Sequence, residues 1–101
     1  MKAAAVTEKE FQSQILQLAK LSGWRCYHTH DSRRSAAGFP DPVLVRPPVV
    51  LFAELKSEGG KLRPEQSRWL AVLRTCPGVE MKLWRPSDWP EIEEALCQRS
   101  E

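Results

Sequence analysis

The segment "PVLVRPPVVLFAELK" (42–56) constrains the fold of this chain more than any other stretch. Two apolar runs flank Pro47-Pro48, and adjacent prolines suit a tight turn better than the interior of a strand. The run after the prolines is apolar at successive positions, which is typical of a central strand covered on both faces. The segment therefore predicts an antiparallel hairpin whose second strand lies inside a sheet, with helices on both sides.

The rest of the chain supplies the other elements of such a sheet. A capping box that begins at Thr7 predicts the start of a first helix with apolar residues at helical spacing. Residues 24–30 and 79–84 are strand candidates, and Pro64 suits the first turn of a second helix. A last helix follows "RPSDWP". The predicted order is α-β-β-β-α-β-α, an α/β fold with a mixed sheet flanked by helices, as one domain over residues 1–101.

Composition and charge are those of an ordinary globular protein. The 101 residues are 42% hydrophobic and 28% charged, which excludes a disordered chain. The net charge of +2 permits a nucleic-acid partner without requiring one. No apolar run approaches the roughly 18 residues that a membrane helix needs, and three cysteines without a CxxC pattern are typical of reduced thiols. We expect a cytoplasmic protein that has no membrane partner.

Three charged side chains interrupt the apolar hairpin. If Pro47 and Pro48 form the turn, counting outward places Asp41 opposite Glu54, with Cβ atoms about 4.5–5.5 Å apart. Lys56 follows Glu54 by two residues and so shares its face. Two carboxylates at that separation repel each other by about 3 kcal/mol at an effective dielectric constant near 20. A sheet built for stability alone would not favour this arrangement.

A hard divalent cation would relieve the repulsion. Mg²⁺ and Mn²⁺ prefer oxygen ligands, and Mg²⁺ binds proteins through one or two carboxylates together with a phosphate. Lys56 could then orient or deprotonate an attacking water, or stabilise negative charge that develops on the phosphate. The alternative is structural, with a strand-edge ion pair between Glu54 and Lys56 and with Asp41 only capping a turn. Spacing alone leaves both interpretations open.

The combination Pro-Asp, a short spacer and Glu-x-Lys is the signature of the PD-(D/E)xK nuclease superfamily. Together with "TEKEFQSQILQLAKLSGW", "YHTHDSRRSAAGFPD", "FAELKSEGGKLRPEQSRWL" and "LWRPSDW", it makes nearly the whole chain resemble a stand-alone, phage-type VRR-NUC domain. The resemblance implies a restriction-endonuclease-like fold. It also implies a divalent-metal-dependent endonuclease that hydrolyses phosphodiester bonds in DNA, with Mg²⁺ or Mn²⁺ as cofactor.

The same resemblance implies roles for individual residues. The first helix would supply one carboxylate ligand, and Glu8 matches the family arrangement better than Glu10, which the capping box already explains. Gln66 would lie beside the active site, although a satisfied structural amide on the buried face of its helix is the alternative. The implied catalytic residues are Asp41, Glu54, Lys56 and Gln66, and the implied metal ligands are Glu8, Asp41, Glu54 and the backbone carbonyl of Leu55.

Loops beside the acidic residues carry side chains that can contact phosphate, which would give affinity rather than sequence readout. Because so small a domain has a limited footprint on DNA, we expect a homodimer with two active sites. Stand-alone members of the family suggest branched DNA, such as a four-way (Holliday) junction. The alternatives are a non-catalytic DNA-binding or assembly module, or a nuclease acting on RNA or single-stranded ends. The expected DNA contacts are His30, Ser32, Arg33, Arg34, Lys61 and Arg63, joined by Arg85 after the fourth strand.

Overall fold

The computed structural model describes residues 6–29 and 36–98 of the chain. Its elements follow the predicted order, and the predicted α/β fold with a mixed sheet is confirmed. Helix α3 is short, with a 3₁₀ turn before it and a π-helical turn after it. The elements are α1 (Glu8–Leu21), β1 (Arg25–Tyr27), β2 (Val43–Arg46), β3 (Val49–Leu55), α2 (Pro64–Arg74), β4 (Glu80–Trp84), the 3₁₀ turn (Pro86–Asp88), α3 (Trp89–Glu93) and the π-helical turn (Glu94–Gln98).

The four strands form one sheet in the order β1-β2-β3-β4. The first two pairings are antiparallel, and β3 pairs with β4 in parallel. Strand β3 therefore lies inside the sheet, as its apolar sequence predicts. Of the strand predicted over 24–30, residue 30 lies outside the described residues, and only Arg25–Tyr27 forms a strand among the others. The N–H of Thr29 donates to the side chain of Asp41 at 2.9 Å instead of joining the ladder.

The hairpin has the register that the two prolines predict. Arg46 pairs with Val49 across the turn, and Val43 pairs with Phe52 at the far end of the ladder. One further hydrogen bond, of 3.0 Å, runs from the N–H of Ala53 to the carbonyl of Pro42. Asp41 directly precedes Pro42 and Glu54 lies near the end of β3, so both acids are at the same end of the hairpin.

Strands β2 and β3 present mainly apolar side chains on one face of the sheet. Leu44, Leu51, Ala53 and Leu55 alternate along the hairpin and are all buried. They pack against residues of α1, α3 and the π-helical turn, and burial of each leucine side chain contributes about 1.5–3 kcal/mol. The opposite face carries Glu54 and lies against α2. The buried partners in the apolar core are Phe11, Ile15, Leu16, Ala19, Trp24, Trp84, Ile92 and Leu96.

One backbone carbonyl joins the end of the hairpin to the C-terminal segment. The carbonyl of Leu96 accepts hydrogen bonds from Nε1 of Trp24 at 3.0 Å and from Nη1 of Arg46 at 3.2 Å. The guanidinium of Arg46 lies 4.7 Å from the centre of the Trp24 ring, a favourable cation–π distance. These contacts hold the hairpin at its turn, whereas Asp41 and Glu54 lie at the opposite end of the hairpin. None of the helices within the described ranges is long and apolar enough to cross a membrane.

Candidate active site

A cavity of about 870 Å³ opens where the start of α1, the end of β3 and the start of α2 meet. It is lined by the four residues that the sequence analysis singled out as catalytic, namely Asp41, Glu54, Lys56 and Gln66. Glu8, the favoured ligand from the first helix, also lines it. The chain thus brings together side chains that lie up to 58 positions apart in the sequence (from residue 8 to residue 66).

One oxygen of the Asp41 carboxylate accepts a hydrogen bond, and the other has no partner within the described part of the chain. Its Oδ2 accepts the N–H of Thr29 at 2.9 Å. Its Oδ1 is buried and has no hydrogen-bond partner within the described part of the chain. Pro40 and Pro42 are fully buried on either side, and Pro42 restricts the backbone of Asp41, which directly precedes it. A buried carboxylate oxygen without a partner is costly in a structure without a ligand, which makes Oδ1 a candidate ligand atom.

Glu54 is a buried carboxyl group whose ionised form is disfavoured by its surroundings. Only 7% of the residue is exposed, and burial raises its pKa to about 7. The positive charge of Lys56 lowers this pKa, whereas the nearby carboxylates of Glu8 and Asp41 raise it. The carboxylates of Glu8 and Asp41 therefore disfavour the ionised form of Glu54, in the same direction as burial. A cation in the cavity would reverse the balance and favour the ionised form of Glu54.

Gln66 connects this carboxylate to the start of α2. Its Oε1 accepts the backbone N–H of Arg63 at 2.8 Å, and its Nε2 donates to Oε2 of Glu54 at 3.2 Å. Because the amide oxygen faces a donor, the amide nitrogen must face the acid. Arg63 is the N-cap residue of α2, and its side chain makes no capping hydrogen bond. The side chain of Gln66 instead accepts the backbone N–H of Arg63 at the helix start. Both interpretations of Gln66, as a structural amide and as a neighbour of the acids, therefore apply.

The two acids at the start of α1 have different environments. Thr7 and Glu10 form the predicted capping box, with two reciprocal hydrogen bonds of 3.0 Å between side chain and backbone. Glu8 instead lines the main cavity and also a smaller one of about 330 Å³, which it shares with Asp41 and Leu55. The geometry therefore favours Glu8 as the candidate ligand, because the side chain of Glu10 is already engaged.

Lys56 is buried beside the acids and directly follows β3. It is 7% exposed, and its backbone N–H donates to the carbonyl of Trp84 at 3.1 Å. The loop after it is held by Arg85, whose Nη1 donates to the carbonyls of Ser57 and Gly60 at 2.7 Å each. Arg85 was expected to approach phosphate, but the structure directs this nitrogen into the loop. The backbone around the lysine is thereby fixed on both sides.

The expected DNA contacts are only partly described by the structure. Arg63 is exposed and lines the main cavity. Lys61 is exposed on the loop before α2. The remaining expected contacts, His30, Ser32, Arg33 and Arg34, lie outside the described residues.

Several residues of the cavity were not predicted from the sequence. Gln12 follows Glu8 by one helical turn, so helical spacing could have placed it on the same side of α1. Thr29 acts through its backbone N–H, which gives no sequence signal. Tyr27 ends strand β1 and lines the cavity from the edge of the sheet, a position that depends on how β1 pairs with β2.

The donor set fits a hard cation but is not a complete protein cage. Within residues 6–29 and 36–98, no group of three or more His, Cys, Asp or Glu side chains is placed to hold a metal ion on its own. Mg²⁺ does not require such a group, because it keeps several waters and binds through one or two carboxylates plus substrate phosphate. The open Oδ1 of Asp41 and the carboxylate of Glu54 meet this smaller requirement.

Comparisons with known proteins identify the family to which the chain belongs. The family model of the VRR-NUC domain matches residues 2–88. A solved structure described as a VRR_NUC domain protein superposes with a TM-score of 0.65 and 19% identity, covering 84% of this chain and 82% of that chain. It shows the same restriction-endonuclease-like fold. The comparison with curated proteins finds no match. The chain belongs to the VRR-NUC family, a family of nuclease domains.

Proposed function

We propose that this protein is a divalent-metal-dependent endonuclease that hydrolyses phosphodiester bonds in DNA. The observation that carries the proposal is Oδ1 of Asp41, a buried oxygen without a hydrogen-bond partner within the described residues. Asp41 lines the same cavity as the buried Glu54 and Lys56. An Asp41 that only capped a turn would leave this buried oxygen unexplained, because buried polar atoms in stable folds nearly always have a partner. Family membership supports the same chemistry, since nucleases of the PD-(D/E)xK type generally use divalent metal ions.

The groups that would hold Mg²⁺ or Mn²⁺ are oxygen donors on three separate elements. When bound, such an ion lowers the pKa of water and offsets negative charge on the phosphate. Asp41 is positioned by the N–H of Thr29, and Glu54 is positioned by the amide of Gln66. These hydrogen bonds hold both carboxylates in fixed orientations before a ligand arrives. The proposed ligands are Glu8, Asp41, Glu54 and the carbonyl of Leu55.

Lys56 is the proposed group for the attacking water and for the developing charge. A buried ammonium group interacts more strongly with a phosphate oxygen than one in bulk water, because water does not screen it. The fixed backbone at Lys56 and at the following loop limits the positions of this side chain. We assign it the role of orienting the water and stabilising charge on the phosphate.

Branched DNA is the proposed substrate, and a homodimer is the proposed active form. The cavity is only about 870 Å³, so one copy contacts a short stretch of DNA beside the cleaved bond. Two copies related by a two-fold axis would address two strands, which suits a four-way junction. The exposed Arg63 at the mouth of the cavity would contact phosphate.

A cleavage panel tests this proposal. The wild type is incubated with a four-way junction, linear duplex, single-stranded DNA and RNA, with Mg²⁺, Mn²⁺ or EDTA. We expect metal-dependent cleavage that is fastest on the junction, and an analytical-ultracentrifugation mass of two chains. Lys56→Ala should lower the cleavage rate by about 10²- to 10⁴-fold, whereas Lys20→Ala, on the exposed end of α1, should not change it. Metal-independent binding without cleavage of any substrate would contradict the proposal.

A further inference from the structure

Tyr27 exposes its ring at the proposed active site. The residue is 63% exposed although it lies in a strand, and it lines the same cavity as Asp41 and Glu54. A single exposed aromatic residue needs no explanation in general. Leu21 and Val72 are also well exposed, but neither lines this cavity. The position of Tyr27, rather than its exposure alone, indicates a function.

The sheet register fixes the side on which this ring lies. Tyr27 pairs with Val43, and Val43 pairs with Phe52, so the three side chains share one face of the sheet. Glu54 follows Phe52 by two residues and lies on that face as well. Strand β1 is at the edge of the sheet, so within the described part of the chain it pairs only with β2.

A second aromatic ring lines the cavity in a fixed position. Phe39 is 38% exposed and makes edge-to-face contacts with Phe52 and Trp69, with ring centres 5.8 Å and 4.9 Å apart. Such contacts hold a ring in one orientation. The cavity therefore combines acidic groups and a lysine with two aromatic rings, the exposed ring of Tyr27 and the packed ring of Phe39.

We infer that Tyr27 is a stacking platform for an unpaired nucleobase next to the cleaved phosphate, with Phe39 as a second aromatic wall. A base has a π-face whatever its identity, so stacking on a ring gives affinity without sequence readout. In a continuous duplex, the neighbouring bases already cover both faces of each base. The platform therefore favours DNA in which a base at a branch point is unpaired or can leave the stack, as in a fork with unpaired arms or at the centre of a four-way junction. This inference rests on the proposed DNA-cleaving function and specifies its substrate.

Binding measurements on Tyr27 variants test the inference. The probes are a fluorescein-labelled fork with unpaired arms and a linear duplex of the same labelled strand. Binding is followed by fluorescence anisotropy with Ca²⁺ in place of Mg²⁺, and each sample is checked on a gel for intact DNA. The variants are Tyr27→Phe, Tyr27→Leu and Tyr27→Ala, with Leu21→Ala as the exposed control outside the cavity. Thermal unfolding of each variant checks that the fold is retained.

We expect the aromatic ring of Tyr27, and not its hydroxyl group, to contribute to the affinity for the fork. Tyr27→Leu and Tyr27→Ala should weaken binding to the fork by about 5- to 150-fold, and binding to the duplex by less than about 3-fold on the same reasoning. Tyr27→Phe and Leu21→Ala should bind both probes like the wild type. A fork with 5-iodouracil in the unpaired arm should form a photo-crosslink at residue 27, and Tyr27→Leu should lose it.

Three results would overturn the inference. These are wild-type binding of the fork by Tyr27→Leu, equal loss of binding by Tyr27→Phe and Tyr27→Ala, and equal weakening of fork and duplex binding. Parallel cleavage assays with Mg²⁺ separate this failure from failure of the proposed function. If the wild type cleaves DNA and Asp41→Asn does not, an unaffected Tyr27→Leu rejects only the stacking platform. If the wild type cleaves no DNA, both proposals fail.

Discussion

Nε2 of Gln66 donates a 3.2 Å hydrogen bond to Oε2 of Glu54, while Oε1 of the same amide accepts the backbone N–H of Arg63 at 2.8 Å. One side chain thus links the start of α2 to the buried acid at the end of β3. The geometry of the candidate active site is therefore coupled to the stability of a helix terminus.

Removal of this amide should reduce stability and disturb the site. Gln66→Ala leaves a buried carboxyl group and a backbone N–H without their partner, which costs about 1–3 kcal/mol in the free energy of unfolding. The exposed Gln14 on α1 provides the matched control, and Gln14→Ala should change that free energy by less than about 0.5 kcal/mol. Urea denaturation with EDTA measures both variants. Equal stability of Gln66→Ala and the wild type would show that the two hydrogen bonds contribute nothing.

The raised pKa of Glu54 predicts how the stability of the metal-free protein depends on pH. The pKa is raised from 4.5 to about 7 in the folded state, so between these values the folded protein keeps a proton that the unfolded chain loses. The free energy of unfolding should therefore fall as the pH rises from about 4.5 to about 7, and this contribution should level off above that range. Glu54→Gln should remove this part of the slope.

Mg²⁺ should act in the opposite sense, because it binds the ionised carboxylate. Urea denaturation at pH 5 and pH 8, with EDTA or with Mg²⁺, measures both effects. We expect Mg²⁺ to stabilise the wild type more at pH 8 than at pH 5 and to have little effect on Glu54→Gln. Identical slopes for the wild type and Glu54→Gln in EDTA would contradict the assigned titration.

Gly38 should tolerate no side chain, because its backbone lies against the start of α2. Its φ is +79°, and an added Cβ would lie 2.5 Å from the backbone carbon of Glu65 and 2.7 Å from the backbone nitrogen of Gln66. Left-handed conformation alone costs about 1–2 kcal/mol for an L-residue, and the close contacts add to this. Gly78 has no atom within 4 Å of such a Cβ and no positive φ. In thermal unfolding, Gly38→Ala should lower Tm clearly and Gly78→Ala should not. Equal Tm values would show that the loop before Asp41 moves freely away from α2.

Arg85 should act on the loop that follows Lys56. Its Nη1 donates to the carbonyls of Ser57 and Gly60, so Arg85→Ala should release the loop and speed amide hydrogen exchange there. Looser positioning of Lys56 should lower kcat for DNA cleavage with little change in KM. Arg74→Ala, at the exposed end of α2, is the control and should change neither. If Arg85→Ala raises KM alone, the side chain contacts DNA rather than positioning the loop.

Local sequence signals predicted the parts of the structure that depend on neighbouring residues. The Pro47-Pro48 turn predicted the hairpin register from Arg46 and Val49 to Val43 and Phe52, and Asp41 and Glu54 line one cavity beyond that ladder. The capping box occupied Glu10 and left Glu8 for the cavity, as helix-start chemistry predicts.

Contacts between distant segments could not be predicted in this way. The N–H of Thr29 reaches Asp41, and Arg85 reaches the loop at Ser57, through the packing of separate elements. A backbone donor and a folded-back guanidinium leave no periodic pattern in a sequence. The short length of β1 follows from the same cause, since Thr29 leaves the sheet to hold the acid.

The single-turnover rate of four-way junction cleavage by the wild type and by Asp41→Asn, measured as a function of Mg²⁺ concentration, tests the central claim most directly. Asparagine keeps the shape of the side chain and an oxygen for the N–H of Thr29. It removes the negative charge and replaces Oδ1, the oxygen without a hydrogen-bond partner within the described residues, by an amide nitrogen. We predict that the wild-type rate rises with Mg²⁺ to a plateau and disappears in EDTA, and that Asp41→Asn loses about 10²-fold or more. Cleavage by the wild type without metal, or an Asp41→Asn rate equal to that of the wild type, would contradict the account.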